Sequence, residues 1–185
     1  MTYFSKEFPK NWKKLDKSFW SYLAGFIDGD GSLFVRIIPV KSDINYKIII
    51  SIGLYQHKKY IFFLNKIWQI FNKSGNLRIR PNSDMADLVI SNKILIKQIL
   101  TRLYPYLILK KPQAKLLLKI IKEYKDLSLE KNLSYKKAAF LEVCKKIDKV
   151  ADMNNSKNRK YTYESVLKSY KHLPVETWKK KFPDN

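Results

Sequence analysis

Ser18 to Ser32 reads SFWSYLAGFIDGDGS. On a helical wheel Phe19, Leu23, Phe26 and Ile27 fall on one side, while Ser21, Ala24, Gly25 and Asp28 fall on the other. The helix this spacing predicts therefore has two faces to bury. Its large side chains suit a core of the chain's own, and its small ones form a ridge that lets a second helix backbone approach closely. Asp16 or Ser18 can cap the start. Gly29 and Gly31 are expected to end it, leaving Asp28 and Asp30 at the negative pole of the helix macrodipole. Carboxylates are disfavoured there without a cation, so the pair is a candidate divalent-metal site built from oxygen donors of the kind Mg²⁺ prefers. An EF-hand loop beginning at Asp28 would need Gly where Leu33 stands and Glu where Pro39 stands, which argues against a calcium loop.

Composition limits what that motif can mean. A chain of 185 residues has room for one domain, or one with a short appendage, and can bury about 70% of its unfolded surface. The expected division is an extension over 1–17, a domain over 18–171 and a tail over 172–185. Cys144, the single cysteine, lies in the helical run Phe140-Leu141-Glu142-Val143-Cys144 and reads as a core position in a reducing compartment. No stretch of about 18 apolar residues and no signal-peptide pattern occurs, so a soluble protein away from membranes is expected. Lys and Arg number 37 against 16 Asp and Glu, a formal charge of +21. Self-repulsion of that size points to a polyanion as partner, with nucleic acid favoured over an anionic membrane because the cations are spread over strands, loops and helices alike.

Beyond Gly31 the pattern alternates. Leu33, Val35 and Ile37 point one way, then Ile48, Ile50, Ile52 and Leu54 do the same, and a turn near Ser42-Asp43 joins them into a hairpin. Residues 58–72 return to helical spacing through Ile61, Leu64, Ile67, Trp68 and Phe71, and Gly75 closes that helix. Two short strands follow. In one Leu77 and Ile79 face the core, in the other Leu88 and Ile90, and a helix from about Asn92 to Tyr104 ends before Pro105. Pro112 starts a further helix through Ala114, Leu117, Leu118, Ile121 and Tyr124, and another carries Ala138, Leu141, Ile147 and Val150. The order is α+β, αββαββα, a half-barrel antiparallel sheet backed by helices with extra helices at the C-terminal side.

LAGFIDGDG, Leu23 to Gly31, resembles the LAGLIDADG motif of homing endonucleases, with Phe26 for Leu and Gly29 for Ala. The stretches LTRLYPYLILKKPQAKLLLKIIKEY and FLEVCKKIDKVADMNNSKNRKYTYESV are similar to the small single-motif algal organelle members, so the likeness runs from the motif to about residue 167. It implies the same element order, with the sheet saddling the DNA major groove. The side chains expected to face DNA are then Phe34, Arg36, Lys47, Tyr55, Arg78, Arg80, Asp87 and Val89. Arg can be bidentate to guanine, Asp can accept from cytosine N4, and Val or Phe can meet a thymine methyl. The loop holding Ser156, Lys157, Asn158, Arg159 and Lys160 is expected on the DNA backbone.

The resemblance also implies an active site. Asp30 matches the motif's metal-binding acid, with the Gly29 carbonyl beside it, for Mg²⁺ with Mn²⁺ as a substitute. Asp28 matches the acid that holds paired helices, alongside Ser21, Ala24 and Gly25. Gln56 matches a glutamine that orients water, and Lys110 a lysine that activates it or stabilises the phosphorane charge, with Lys111 the competing assignment. Where close relatives have Arg, this chain has Tyr60, and Lys58 or Lys59 is left to supply the charge. His57 is a weaker candidate for general base. One motif per chain, two DNA strands and an unpaired small-residue ridge together imply a homodimer cutting a long, roughly palindromic double-stranded site. The alternatives are an intron maturase that binds RNA and a DNA-binding member that does not cut. An organelle, mitochondrion or chloroplast, is the expected location.

Overall fold

A computed structural model describes residues 15–154 and 159–170. The expected extension over 1–17 and the tail from 172 therefore fall almost wholly outside the described residues, as do Ser156, Lys157 and Asn158. The elements run α1 (Lys17–Asp30), β1 (Gly31–Pro39), β2 (Tyr46–His57), α2 (Ile61–Ile70), β3 (Asn76–Ile79), β4 (Met85–Ile90), α3 (Lys93–Leu103), α4 (Lys111–Leu129), α5 (Leu133–Met153) and α6 (Tyr163–Ser169). The strands form one four-stranded sheet in the order β1-β2-β4-β3, so αββαββα holds, followed by three helices. No helix among the described residues is long and apolar enough to cross a membrane.

The chain forms two compact units. Among the described residues one comprises 15–34 with Ile50–Lys115, the other Val35–Ile49 with 116–154 and 159–170. In the first unit α1 is capped by Asp16, whose Oδ1 accepts from the Phe19 N–H at 2.9 Å. Its buried side is Trp20, Leu23, Ala24 and Ile27, spaced three, four and seven apart as one helical face requires. That corrects two expectations. Phe19 and Phe26 lie at the margin, half-buried, and Ala24 belongs to the chain's own core at 0% exposure. Trp20, one residue from Phe19, takes the deeper position against Phe71, at 6.5 Å between rings. The open line on α1 is Ser21, Gly25 and Gly29, and among the described residues nothing beyond the helix's own nearby backbone lies within 4 Å of a Cβ placed at either glycine.

The helix also continues through both acids rather than stopping at Gly29. Gly31 ends it, with its N–H bonded to the Ile27 carbonyl, and a Cβ there would come within 2.7 Å of Ile27 Cα. After α2 the chain reverses through Asn72 and Lys73, both at positive φ, and through Gly75 at φ 106°. A side chain at Gly75 would strike the Val89 carbonyl at 2.6 Å. Ile79, expected in the core, is half exposed because β3 is an edge strand.

The second unit is built on α5, which buries Phe140, Leu141, Val143, Cys144, Ile147 and Val150. Tyr46 stacks on Phe140 at 6.2 Å, and the Tyr170 hydroxyl donates to the Ile44 carbonyl. Cys144 is fully buried, and burial pushes its thiol well above the ordinary value. That makes it a packing residue rather than a nucleophile.

Candidate active site and nucleic-acid face

The two acids at the end of α1 have different surroundings. Asp28 is opposed by the dipole of its own helix, yet its carboxylate accepts three successive backbone N–H groups: Ile108 at 2.7 Å and Leu109 at 3.2 Å on Oδ2, and Lys110 at 2.8 Å on Oδ1. These groups lead into α4, whose first bond runs from the Ala114 N–H to the Lys110 carbonyl at 2.9 Å. The start of one helix thus compensates a charge that the end of another disfavours. Lys110 returns toward α1, its Nζ donating to the Asp28 backbone carbonyl at 2.6 Å. A cation at a helix C-terminus is where the dipole favours it. Asp28, expected on the ridge, therefore commits its carboxylate to its own chain.

Asp30 is exposed, and its Oδ2 accepts from the Gln56 Nε2 at 3.1 Å. Gln56 is near the end of β2, paired across the sheet with Ala86. Asp30 thus meets Gln56 of β2, while Lys110 at the start of α4 meets Asp28, two residues before Asp30 on α1. Lys111 points elsewhere, with its Nζ 5.3 Å over the Tyr104 ring. Among the described residues no three His, Cys, Asp or Glu converge. One chain therefore offers a divalent cation the Asp30 carboxylate and the Gly29 carbonyl, since in the same turn the Ile27 carbonyl accepts the Gly31 N–H and the Asp28 carbonyl accepts the Lys110 Nζ.

The structure separates the other candidates at this corner. The His57 Nδ1 accepts the Lys59 N–H at 3.2 Å and caps the short helical turn Lys58–Tyr60, which ties that nitrogen to the backbone. Lys58 is bound to Asp84 twice, through its N–H to the carbonyl at 2.6 Å and through Nζ to the carboxylate at 2.7 Å. The Lys58 hydrogen bond holds the Asp84 carboxyl below its ordinary value. Lys59 instead lies 4.9 Å over the Tyr60 ring.

On the sheet, register makes a cluster. Asp87 stands opposite Tyr55 on one side and Arg78 on the other, so the three share a face. The Arg78 Nε donates to Oδ2 of Asp87 at 3.0 Å and to Oδ1 at 3.3 Å, and the Arg80 Nε donates to Oδ1 at 2.8 Å. The Arg80 guanidinium also lies 5.1 Å over the Tyr55 ring. Tyr55 folds back across Gly53, where a Cβ would come within 2.7 Å of its ring carbon Cζ. Asp87 was expected to touch a base itself. At 1% exposure it is instead covered by the two arginines and fixes their direction. Both bind through Nε, which leaves the terminal nitrogens of each guanidinium for other acceptors.

Phe34 and Val89 are half-buried, and Arg36 and Lys47 are exposed. Lys160 is exposed, 5.7 Å from the Tyr161 ring. Arg159, expected on phosphate, is held by Asp148 at 3.0 Å and Asp152 at 2.8 Å. The two acids are one turn apart on α5, so they present their carboxylates to a single guanidinium. That spacing was visible in the sequence. The Asp87 clamp was not, because it depends on which residues the sheet sets opposite one another.

The family model described as LAGLIDADG endonuclease matches residues 23–121. The chain is 36% identical over 154 residues to DNA endonuclease I-CreI of Chlamydomonas reinhardtii, covering 83% of this chain and 89% of that protein. It is 29% identical over 159 residues to DNA endonuclease I-CvuI of Chlorella vulgaris, covering 85% and 93%. A crystal structure of I-CvuI with its DNA target in 2 mM Ca superposes with a TM-score of 0.71 at 30% identity, over 85% of this chain and 95% of that one. A second, on the I-CreI target in 2 mM Mg with the DNA not cleaved, gives 0.72 at 29% identity over the same shares.

Proposed function

The chain belongs to the LAGLIDADG endonuclease family, and we propose that it cuts both strands of a long, roughly palindromic DNA site as a homodimer, by hydrolysis leaving 5′-phosphate and 3′-hydroxyl ends. The observation that carries this reading is the corner at the end of α1. Each chain supplies one exposed acid, Asp30, beside the Gln56 amide and near Lys110, on a helix whose Ser21, Gly25 and Gly29 line is open. Two strands need two such acids, and a second copy would cover the open line.

I-CvuI was crystallised on DNA in Ca or Mg, and the donors here suit a hard divalent cation. Asp30 and the Gly29 carbonyl would hold Mg²⁺, an oxygen donor set of the kind that ion prefers. When bound, such an ion draws charge from a phosphate and lowers the pKa of water. Gln56 holds one Asp30 oxygen through its Nε2, which leaves its own carbonyl to accept from a water. Lys110 brings a positive charge toward the negative charge that builds on the phosphoryl oxygens. On the sheet, the terminal N–H groups of Arg78 and Arg80 read base edges while Asp87 fixes their aim. Arg36, Lys47 and Lys160 add cations for a polyanion.

Asp30→Asn tests the reading. It should bind a duplex carrying the intronless host sequence with unchanged affinity and leave a plasmid bearing that site uncut in Mg²⁺. Cleavage at the wild-type rate would overturn the assignment, and a single subunit on DNA by solution mass would overturn the dimer.

A further inference from the structure

We propose that Asp28 is the positioning residue for Lys110, which deepens the reading above and rests on the Lys110 role stated there. Lys110 has a long, four-carbon side chain, and a catalytic cation on such a stem must be aimed to be of use. Two contacts aim it, and both end on Asp28. The carboxylate fixes the backbone at Ile108, Leu109 and Lys110 through three N–H groups between 2.7 and 3.2 Å. The backbone carbonyl of the same residue then takes the Lys110 Nζ at 2.6 Å. Asp28 thus holds Lys110 at its root and at its tip, two positions before Asp30 on the same helix.

Leu107 is buried just before this turn, but the two side chains that follow it do not anchor the turn. Ile108 is 81% exposed and Leu109 73% exposed, so neither is buried in the chain's own core. The backbone N–H groups of the turn reach α1 through one carboxylate, and the backbone carbonyl of the same residue takes only the Lys110 Nζ. Without that carboxylate the backbone of the turn loses its three N–H bonds to α1 and Lys110 loses its fixed origin, with only the Nζ bond to the Asp28 carbonyl left.

A double-mutant cycle in single-turnover cleavage separates this from a merely structural effect. Lys110→Ala and Asp28→Ala should each slow cleavage on the order of 10²-fold, the size expected for a catalytic group displaced by about 1 Å. The double variant should be no slower than Lys110→Ala alone, because there is no ammonium left to aim. DNA affinity and dimer mass should stay at wild-type values throughout. Asp28→Asn keeps one acceptor oxygen and serves if the alanine variant fails to fold, and it should lie between wild type and Lys110→Ala. Three outcomes overturn the inference: a double variant slowed by the product of the two single effects, an Asp28 variant that dissociates to monomers, or an Asp28 variant that cuts at the wild-type rate. If Lys110→Ala itself cuts normally, the Lys110 assignment fails and the positioning role falls with it, whereas loss of cutting in Asp30→Asn would still stand.

Discussion

Removing the two cations that cover Asp87 should cost more stability than removing Asp87. The carboxylate is 1% exposed, while the side chains of Arg78 and Arg80 are 56% and 42% exposed. If Asp87→Ala is made, both guanidinium groups are already wet and can solvate fully, so the loss is that of ordinary charged hydrogen bonds discounted for exposure, about 1–2 kcal/mol. If Arg78→Met and Arg80→Met are made together, the aliphatic cover stays and the cations go. The carboxylate is then buried without a partner, a situation that costs about 3–5 kcal/mol. For a chain of this length that corresponds to a fall in Tm of roughly 6–20 °C. Urea unfolding of the DNA-free protein reads both losses. The same proteins on duplexes with single base changes read the second consequence: Asp87→Ala should keep its overall affinity but lose discrimination at the bases the arginines face, because their direction is no longer fixed. An Asp87→Ala variant less stable than the double Met variant would refute the reasoning. So would one that keeps its base preference.

The open line on α1 makes a separate claim. Gly25 is exposed and a Cβ there meets none of the described residues beyond its own helix, and Gly25→Leu gains about 1 kcal/mol of helix propensity, so the single chain should melt no lower than wild type, whereas a closely packed second helix would be pushed away. The expected sedimentation result is one subunit where wild type gives two, and a dimer as stable as wild type would count against this surface. Lys58 and Lys59 should behave differently as alanine variants. Lys58→Ala removes an exposed ion pair with Asp84 that solvent screens, and should leave cleavage intact. Lys59→Ala should slow cleavage on the order of 10-fold or more, as for loss of one charge-stabilising group. The reverse order would assign the missing charge to Lys58.

How much of this was legible in the sequence depends on the range of the interaction. The helix and strand periods are local, so α1, the hairpin, α2, β3, β4 and α3 came out in the right order from spacing alone, and the two acids of the motif stood out because a helix end is a poor place for carboxylates. The identity of Gln56 and Lys110 as candidates beside Asp30 came from the resemblance to the family, not from spacing. What the sequence could not settle was which face of a shared helix or strand would lose its solvent. Ala24 and Gly25 are both small, and only packing puts the first in the core and leaves the second open. Asp87 and Arg159 read as free polar groups until the sheet register and the turn of α5 placed opposite charges beside them. Asp28 carries the same lesson over the longest distance, since its partners lie some 80 positions along the chain. A residue's type and period follow from bonds between neighbours. Its partner is chosen by the folded backbone, which decides where the next charge or hydrogen-bond donor falls within about 3 Å.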